Sequence, residues 1–171
     1  MKHELTEVGV TGSQNVSSMC LVCGEKNAHG LHTHFLELED GGLCAVFDTL
    51  DEHQSYPERV HGGIIAAILD ETIGRAIQVA QPEVFGVTME LNIKYRKPVP
   101  LGEQLRVVAH ITRSTGMAFE GEGLLLLQDG TVAAQGTARY AKQPPAVITE
   151  GGLSDETWHP DPREAPAKVL V

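Results

Sequence analysis

In GGIIAAILDETIG, residues 62–74, Asp70 has Ala66 four positions before it and Gly74 four positions after it, so no helical neighbour can pair with its charge. A carboxylate that is ionised near neutral pH and free of a partner can take a proton from water or attack an electrophilic carbon. The adjacent Glu71 has Arg75 at i+4 and reads as half of a surface ion pair. Just upstream, His61-Gly62-Gly63 stands where an apolar period begins. The start of a helix exposes unpaired N–H groups and partial positive charge, which polarise a carbonyl or hold an anion, and two glycines let a ligand reach them. Taken singly, Asp70 reads as a solvated residue and the glycine pair as a flexible turn around a surface or capping histidine. Taken together they share one helix face with Ala66, Ala67 and Gly74, a face with almost no side-chain bulk. Gly63 and Asp70 are separated by about 10 Å along the axis, too far to touch one carbonyl within one helix. Joint action therefore requires a second subunit whose helix runs antiparallel beside the first.

The elements that must hold these groups are legible from periodicity. From His61 to about Val79 apolar residues recur at helical spacing, with Ile64, Ile65, Ile68, Leu69, Thr72, Ile73 and Ala76 on one half of the wheel and Pro82 just past the end. Before it, residues 32–48 give two short runs around Asp40-Gly41-Gly42, a hairpin signal. After it come four β-rich segments, 87–96, 104–113, 117–128 and 131–141, joined by short glycine-bearing links. Short links imply antiparallel neighbours. The order β-β-α-β-β-β-β predicts an α+β fold, one antiparallel sheet with a single long helix on its apolar face. Residues 1–19 are polar and lack a sustained period, and residues 143–171 hold five of the nine prolines, so a flexible arm and a flexible tail are expected around a folded domain at 20–142.

Composition excludes several classes of partner. The formal net charge of −10 is wrong for general binding to nucleic acid or an anionic membrane. The first ten residues, MKHELTEVGV, lack the apolar core of a signal peptide, and no run approaches a membrane span, so a soluble cytoplasmic protein is expected. Lys94, Arg96 and Lys97 form a local basic cluster able to meet phosphate oxygens, or equally a solvated strand face. Cys20, Cys23, His29 and His32 form C-x2-C-x5-H-x2-H, chemically capable of holding zinc. Four consecutive leucines, 124–127, predict a strand buried on both faces, partly by another copy of the chain.

The segment HQSYPERVHGGIIAAILDETIG, residues 53–74, closely resembles the hot-dog-fold acyl-CoA thioesterases of the PaaI-like and THEM-like group. CLVCGEKNAHGL, residues 20–31, resembles the C-x-x-C-G-x-x-N-x-x-G-L opening of many members, which accounts for the cysteines without a metal. GVTMELNIKYRKPVPLGEQL, residues 86–105, resembles the strand that follows the family's helix. The resemblance implies a sheet wrapped around one long central helix and hydrolysis of an acyl-CoA thioester, with no cofactor beyond the CoA of the substrate. It implies that Asp70 is the nucleophile or general base, that Gly63 presents its N–H to the thioester oxygen, that Gly62 and His61 shape that donor loop, and that Gln54 and Thr88 help place the attacking water. Lys94, Arg96 and Lys97 would meet the CoA phosphates. Ser55 and Glu58 stand where the family usually has glycine. The partners implied are acyl-CoA and a second copy of the chain, as a homodimer or a dimer-of-dimers tetramer. The reading from another class is a non-catalytic hot-dog module that binds acyl-CoA as a sensor. A dehydratase of the same fold would need a different histidine and carboxylate arrangement.

Overall fold

In chain order the elements are β1 (Glu7–Ser13), β2 (His34–Leu38), β3 (Leu43–Phe47), α1 (Gly62–Arg75), β4 (Phe85–Tyr95), β5 (Leu105–Ser114), β6 (Ala118–Leu126), β7 (Val132–Gln143), α2 (Pro145–Ile148) and β8 (Lys168–Leu170). The structure is a computed structural model that describes residues 1–171. All eight strands join one antiparallel sheet in the order β4-β7-β6-β5-β3-β2-β1-β8. The hairpin, the helix and the four later strands fall where hydrophobic period and glycine turns place them. Gly41 takes φ 84° in the β2–β3 turn, a backbone conformation that favours glycine.

The helix lies on the sheet through Ile65, Ile68, Leu69, Thr72 and Ile73, all buried. Glycines on β6 let it come close: a Cβ on Gly121 would stand 2.8 Å from Cγ2 of Ile73, and one on Gly123 3.0 Å from its Cγ1. The main core gathers Ile65, Ile68, Leu69 and Ile73 with Phe35, Phe47, Leu105, Val107, Phe119, Leu125 and Tyr140. No helix is long and apolar enough to cross a membrane.

Both ends of the chain depart from the expectation of flexibility. Residues 7–13 pair with β2 on one side and with β8 on the other, so the arm and the tail close on each other at the edge of the sheet. The tail is pinned at several points. Arg163 donates to the carbonyls of His32 (2.6 Å) and Thr33 (2.9 Å) while pairing with the fully buried Asp161 carboxylate (2.6 Å). Ser18 Oγ donates to Glu156 O at 2.7 Å, and the Trp158 ring meets Phe85 edge-on at 5.6 Å. The prolines do keep the tail out of the sheet's centre, leaving a three-residue edge strand too short to show a period.

A second apolar cluster explains the leucine run without another copy of the chain. Leu124 and Leu126 pack with Leu36, Leu38, Val108 and Val132, and the cover comes from Leu5, Val8 and Val10 of the arm and Val169 and Val171 of the tail. Removing residues 145–171 would therefore take away β8, the buried Val171 and Trp158 together, rather than leave the fold intact as a flexible tail would.

Candidate active site

Asp70 emerges from the side of α1 between β4 and β7. Its carboxylate accepts the hydroxyl of Thr88 on β4 at 3.0 Å (Oδ1) and 3.2 Å (Oδ2). The Tyr140 hydroxyl on β7 is within hydrogen-bond distance of both the Asp70 carbonyl (2.8 Å) and Oδ1 (3.1 Å). Burial raises the Asp70 carboxyl above its ordinary range. The Thr88 and Tyr140 hydrogen bonds oppose that rise, and the nearby Glu71 charge adds to it.

A bulge makes the Thr88 contact possible. Strict alternation along β4 places Thr88 with Glu90 and Asn92, on the face away from Leu91 and Ile93. In the structure Thr88 stands opposite Tyr140 and Glu90 opposite Arg139, so Met89 is extra in the ladder. The extra residue reverses the side-chain alternation, and Thr88 faces the helix along with the core residues Leu91 and Ile93.

Tyr140 was not legible as a site residue. Its one signal is that it is the large residue at the end of a face otherwise carrying Ala134, Gly136 and Ala138. It also accounts for part of the low-bulk helix face. A Cβ on Gly74 would stand 3.0 Å from the Tyr140 ring, so at that position the close neighbour is this chain's own tyrosine and not a second helix.

Asp70 and Thr88 open into a cavity of about 280 Å³. Phe85, Tyr140 and the tail residues Ile148, Leu153 and Trp158 supply its apolar wall, while Glu71, Arg75 and Cys20 supply a polar one. The Glu71–Arg75 pair is thus not a surface ion pair. Arg75 is 6% exposed. Its Nε–H donates to Glu71 Oε1 at 2.7 Å, its other donors reach Asn15 O (2.8 Å) and Cys23 Sγ (3.1 Å), and its guanidinium lies between the rings of Phe35 and Trp158 at 4.5 and 4.7 Å. Cys20 and Cys23 sit beside it. A hydrogen bond from Cys23 brings the Cys20 thiol down to about 6, and that same hydrogen bond, with burial second, pushes Cys23 up. The histidines of the C-x2-C-x5-H-x2-H run are not with them: His32 Nε2 lies 2.7 Å from Asn27 O, and the carbonyl of His29 lies 2.7 Å from buried His53.

The remaining predicted residues gather at the other end of α1. His61 caps the helix, its Nδ1 accepting the Gly63 N–H at 2.8 Å, so this donor is occupied by the chain's own histidine. The Gly62 carbonyl accepts the Tyr95 hydroxyl at 3.0 Å, which ties the end of β4, and with it Lys94, Arg96 and Lys97, to the helix start. Arg96 donates to Gln135 at 2.9 Å, and Lys94 and Lys97 are exposed. Gln54 pairs with Val60 in the preceding loop, and its Oε1 accepts the Glu58 N–H at 3.0 Å. The structure therefore brings Asp70 and Thr88 together at one end and Gln54, His61, Gly62, Gly63 and the basic cluster together at the other.

The family model of the thioesterase superfamily matches residues 58–134. A Bacillus halodurans protein whose structure was solved with CoA is 31% identical and superposes with a TM-score of 0.59, over 66% of this chain and 75% of that one. The chain belongs to the thioesterase superfamily. Another thioesterase superfamily protein of known structure is 26% identical with a TM-score of 0.67, covering 74% of this chain and 61% of that chain. Human acyl-coenzyme A thioesterase 13 is 30% identical over 87 residues, 50% of this chain, and the chain spans 62% of that relative's length. The fold of this superfamily, a sheet around one long helix, is the one expected from the sequence. Within this thioesterase superfamily chain, the matched span carries Asp70, Thr88 and the helix start, but Tyr140, the Cys20–Cys23 loop and Trp158 lie outside it.

Proposed function

We propose that the protein hydrolyses acyl-CoA thioesters to a free acid and CoA. The observation that carries this reading is the half-buried Asp70 carboxylate, oriented by Thr88 and Tyr140 on the wall of a partly apolar cavity. Asp70 removes a proton from water as the water oxygen bonds to the thioester carbon. The resulting oxyanion collapses, the C–S bond breaks, and the departing thiolate takes up the proton. Direct attack by the carboxylate, followed by hydrolysis of the anhydride, uses the same geometry.

The donor to the oxyanion is the helix start of a partner subunit. The Gly63 N–H is released when the His61 ring turns away, and the Gly62 N–H, at the first helical position, has no carbonyl within the helix to meet. Support for a homodimer comes from β4, an eleven-residue edge strand with Val87, Met89 and Tyr95 exposed. Pairing that edge with a second copy extends the sheet and sets the two helices side by side. Gln54 lies by that helix start, and Lys94, Arg96 and Lys97 offer cations to the CoA phosphates. The CoA held by the Bacillus halodurans relative supports this choice of substrate.

The test is thiol release from short, aromatic and long acyl-CoAs, with the mass of the active species measured in the same buffer. A cavity of about 280 Å³ lined by Trp158 and Leu153 favours short and aromatic acyl groups over long chains. The active species should be a dimer or tetramer, and a monomer with full activity would remove the shared site.

The raised Asp70 carboxyl gives the pH dependence its sign. Activity requires the carboxylate, so kcat/KM should fall as pH drops through that raised value. Thr88→Val removes a hydrogen bond that favours the charged form. The acid limb should therefore move to higher pH, with about a tenfold loss on the plateau, the scale of a hydrogen bond to a charged group. An unmoved limb would dissociate Thr88 from Asp70 in catalysis.

A further inference from the structure

The mechanism above leaves the Cys20–Cys23 loop without a task, although Cys20 lines the cavity. The two sulfurs and a Glu71 carboxylate oxygen all lie within 4.8 Å of one another. Four ligand atoms around a tetrahedral zinc, with Zn–S near 2.3 Å, are spaced by about 3.8 Å, which this cluster reaches with small side-chain rotations. The backbone is set to present sulfur. Val22 and Cys23 N–H groups both point at Cys20 Sγ (3.3 and 3.4 Å), and the Ser17 N–H points at Cys23 Sγ (3.3 Å). The turn closes with the Gly24 N–H on the Cys20 carbonyl at 3.0 Å, and a Cβ on Gly24 would stand 2.5 Å from that oxygen, so the glycine after the second cysteine is required by the geometry.

We propose that Cys20, Cys23 and Glu71 bind a thiophilic divalent cation, zinc above all, clipping the N-terminal loop to helix α1 at the wall of the Asp70 cavity. Charge points to a divalent ion. Two thiolates and a carboxylate carry three negative charges, Arg75 returns one positive charge through its contacts with Cys23 and Glu71, and a divalent ion brings the cluster to neutrality. Arg75 leaves room for the ion, because it takes Glu71 Oε1 and one sulfur lone pair and the second carboxylate oxygen stays available. Sulfur ligands disfavour magnesium and calcium, which take oxygen. Cys20 and Glu71 both line the cavity, so the fourth position opens onto it and takes a water or a ligand atom. The ligand set differs from the one the cysteine and histidine spacing suggests, with Glu71 of the helix taking the place of His29 and His32.

The test uses the full chain, reduced, stripped with a chelator and titrated with Co²⁺ and then Zn²⁺. The expected result is one ion per chain, a sulfur-to-cobalt charge-transfer band that zinc abolishes, and protection of Cys20 and Cys23 from alkylation by zinc. Cys20→Ser and Cys23→Ser should each remove the band, and Glu71→Gln should weaken zinc binding at least tenfold. Circular dichroism confirms that each variant is folded, and the alkylation experiment on the unaltered chain decides the matter where one is not. Zinc binding that persists with both cysteines replaced, or no binding by the reduced chain at tens of micromolar zinc, overturns the proposal. So does a chain in which these two thiols form a disulfide on purification and bind no ion after reduction.

Discussion

Replacing Asp70 by Asn should lower kcat by about a hundredfold or more while leaving acyl-CoA affinity within a few-fold, because only the carboxylate can attack or take a proton and the amide keeps its shape. The fold should not suffer. Asp70 is raised above its unfolded value, so the native state binds the proton more tightly than the unfolded chain does. In the window between the two values stability falls as pH rises, and the penalty of the buried charge is fully present above the folded value. The Asn variant, which has no charge, should therefore unfold at the same temperature as the parent or higher at neutral pH. Glu83→Gln, an exposed carboxylate beyond the helix, serves as the comparison and should change kcat little. Near-normal turnover by Asp70→Asn would sink the mechanism. A parent chain that binds acyl-CoA tightly and releases no thiol would instead make the protein a binding module.

The largest effect on stability should come from Arg75, not from a core aliphatic residue. Arg75→Ala removes three hydrogen bonds and the contact between the Phe35 and Trp158 rings, and it strands Glu71 beside a cavity. Breaking a buried pair from one side costs about 3–5 kcal/mol. For a chain of this size that corresponds to a fall in Tm of roughly 10 °C. Arg75→Lys keeps the charge but not the planar fork, so it should fall between the two. Urea unfolding of the three proteins measures this, and a loss under about 1 kcal/mol for the alanine variant would mean that the arginine is not what joins arm, helix and tail. The same geometry makes Glu71→Gln a poor neutral control, since it unpairs a buried guanidinium.

What the sequence determined by itself was whatever is encoded within one turn or one strand. The helix at 61–79 shows in its apolar period, the hairpin in Asp40-Gly41-Gly42, and the later strands in their glycine links, because a local period and a local turn need no partner to be recognised. Asp70 was legible for the same reason: it is the one helical acid without a partner four residues away. The resemblance of residues 53–74 and 86–105 to the thioesterases added the roles of Gly63 and Thr88. Contacts between distant segments were decided by the tertiary structure. The arm and the tail each look too polar and too broken to fold, and each becomes a strand only because the other, with β2, supplies its hydrogen-bond partner and its apolar cover. Glu71 and Arg75 read as a surface pair until Trp158, 83 positions further on, closes over the arginine. Thr88 faces Asp70 because one extra residue in β4 reverses the alternation of that strand, and Tyr140 joins them through the β4–β7 register. A bulge and a register are properties of two strands at once, so neither can be read from one of them alone.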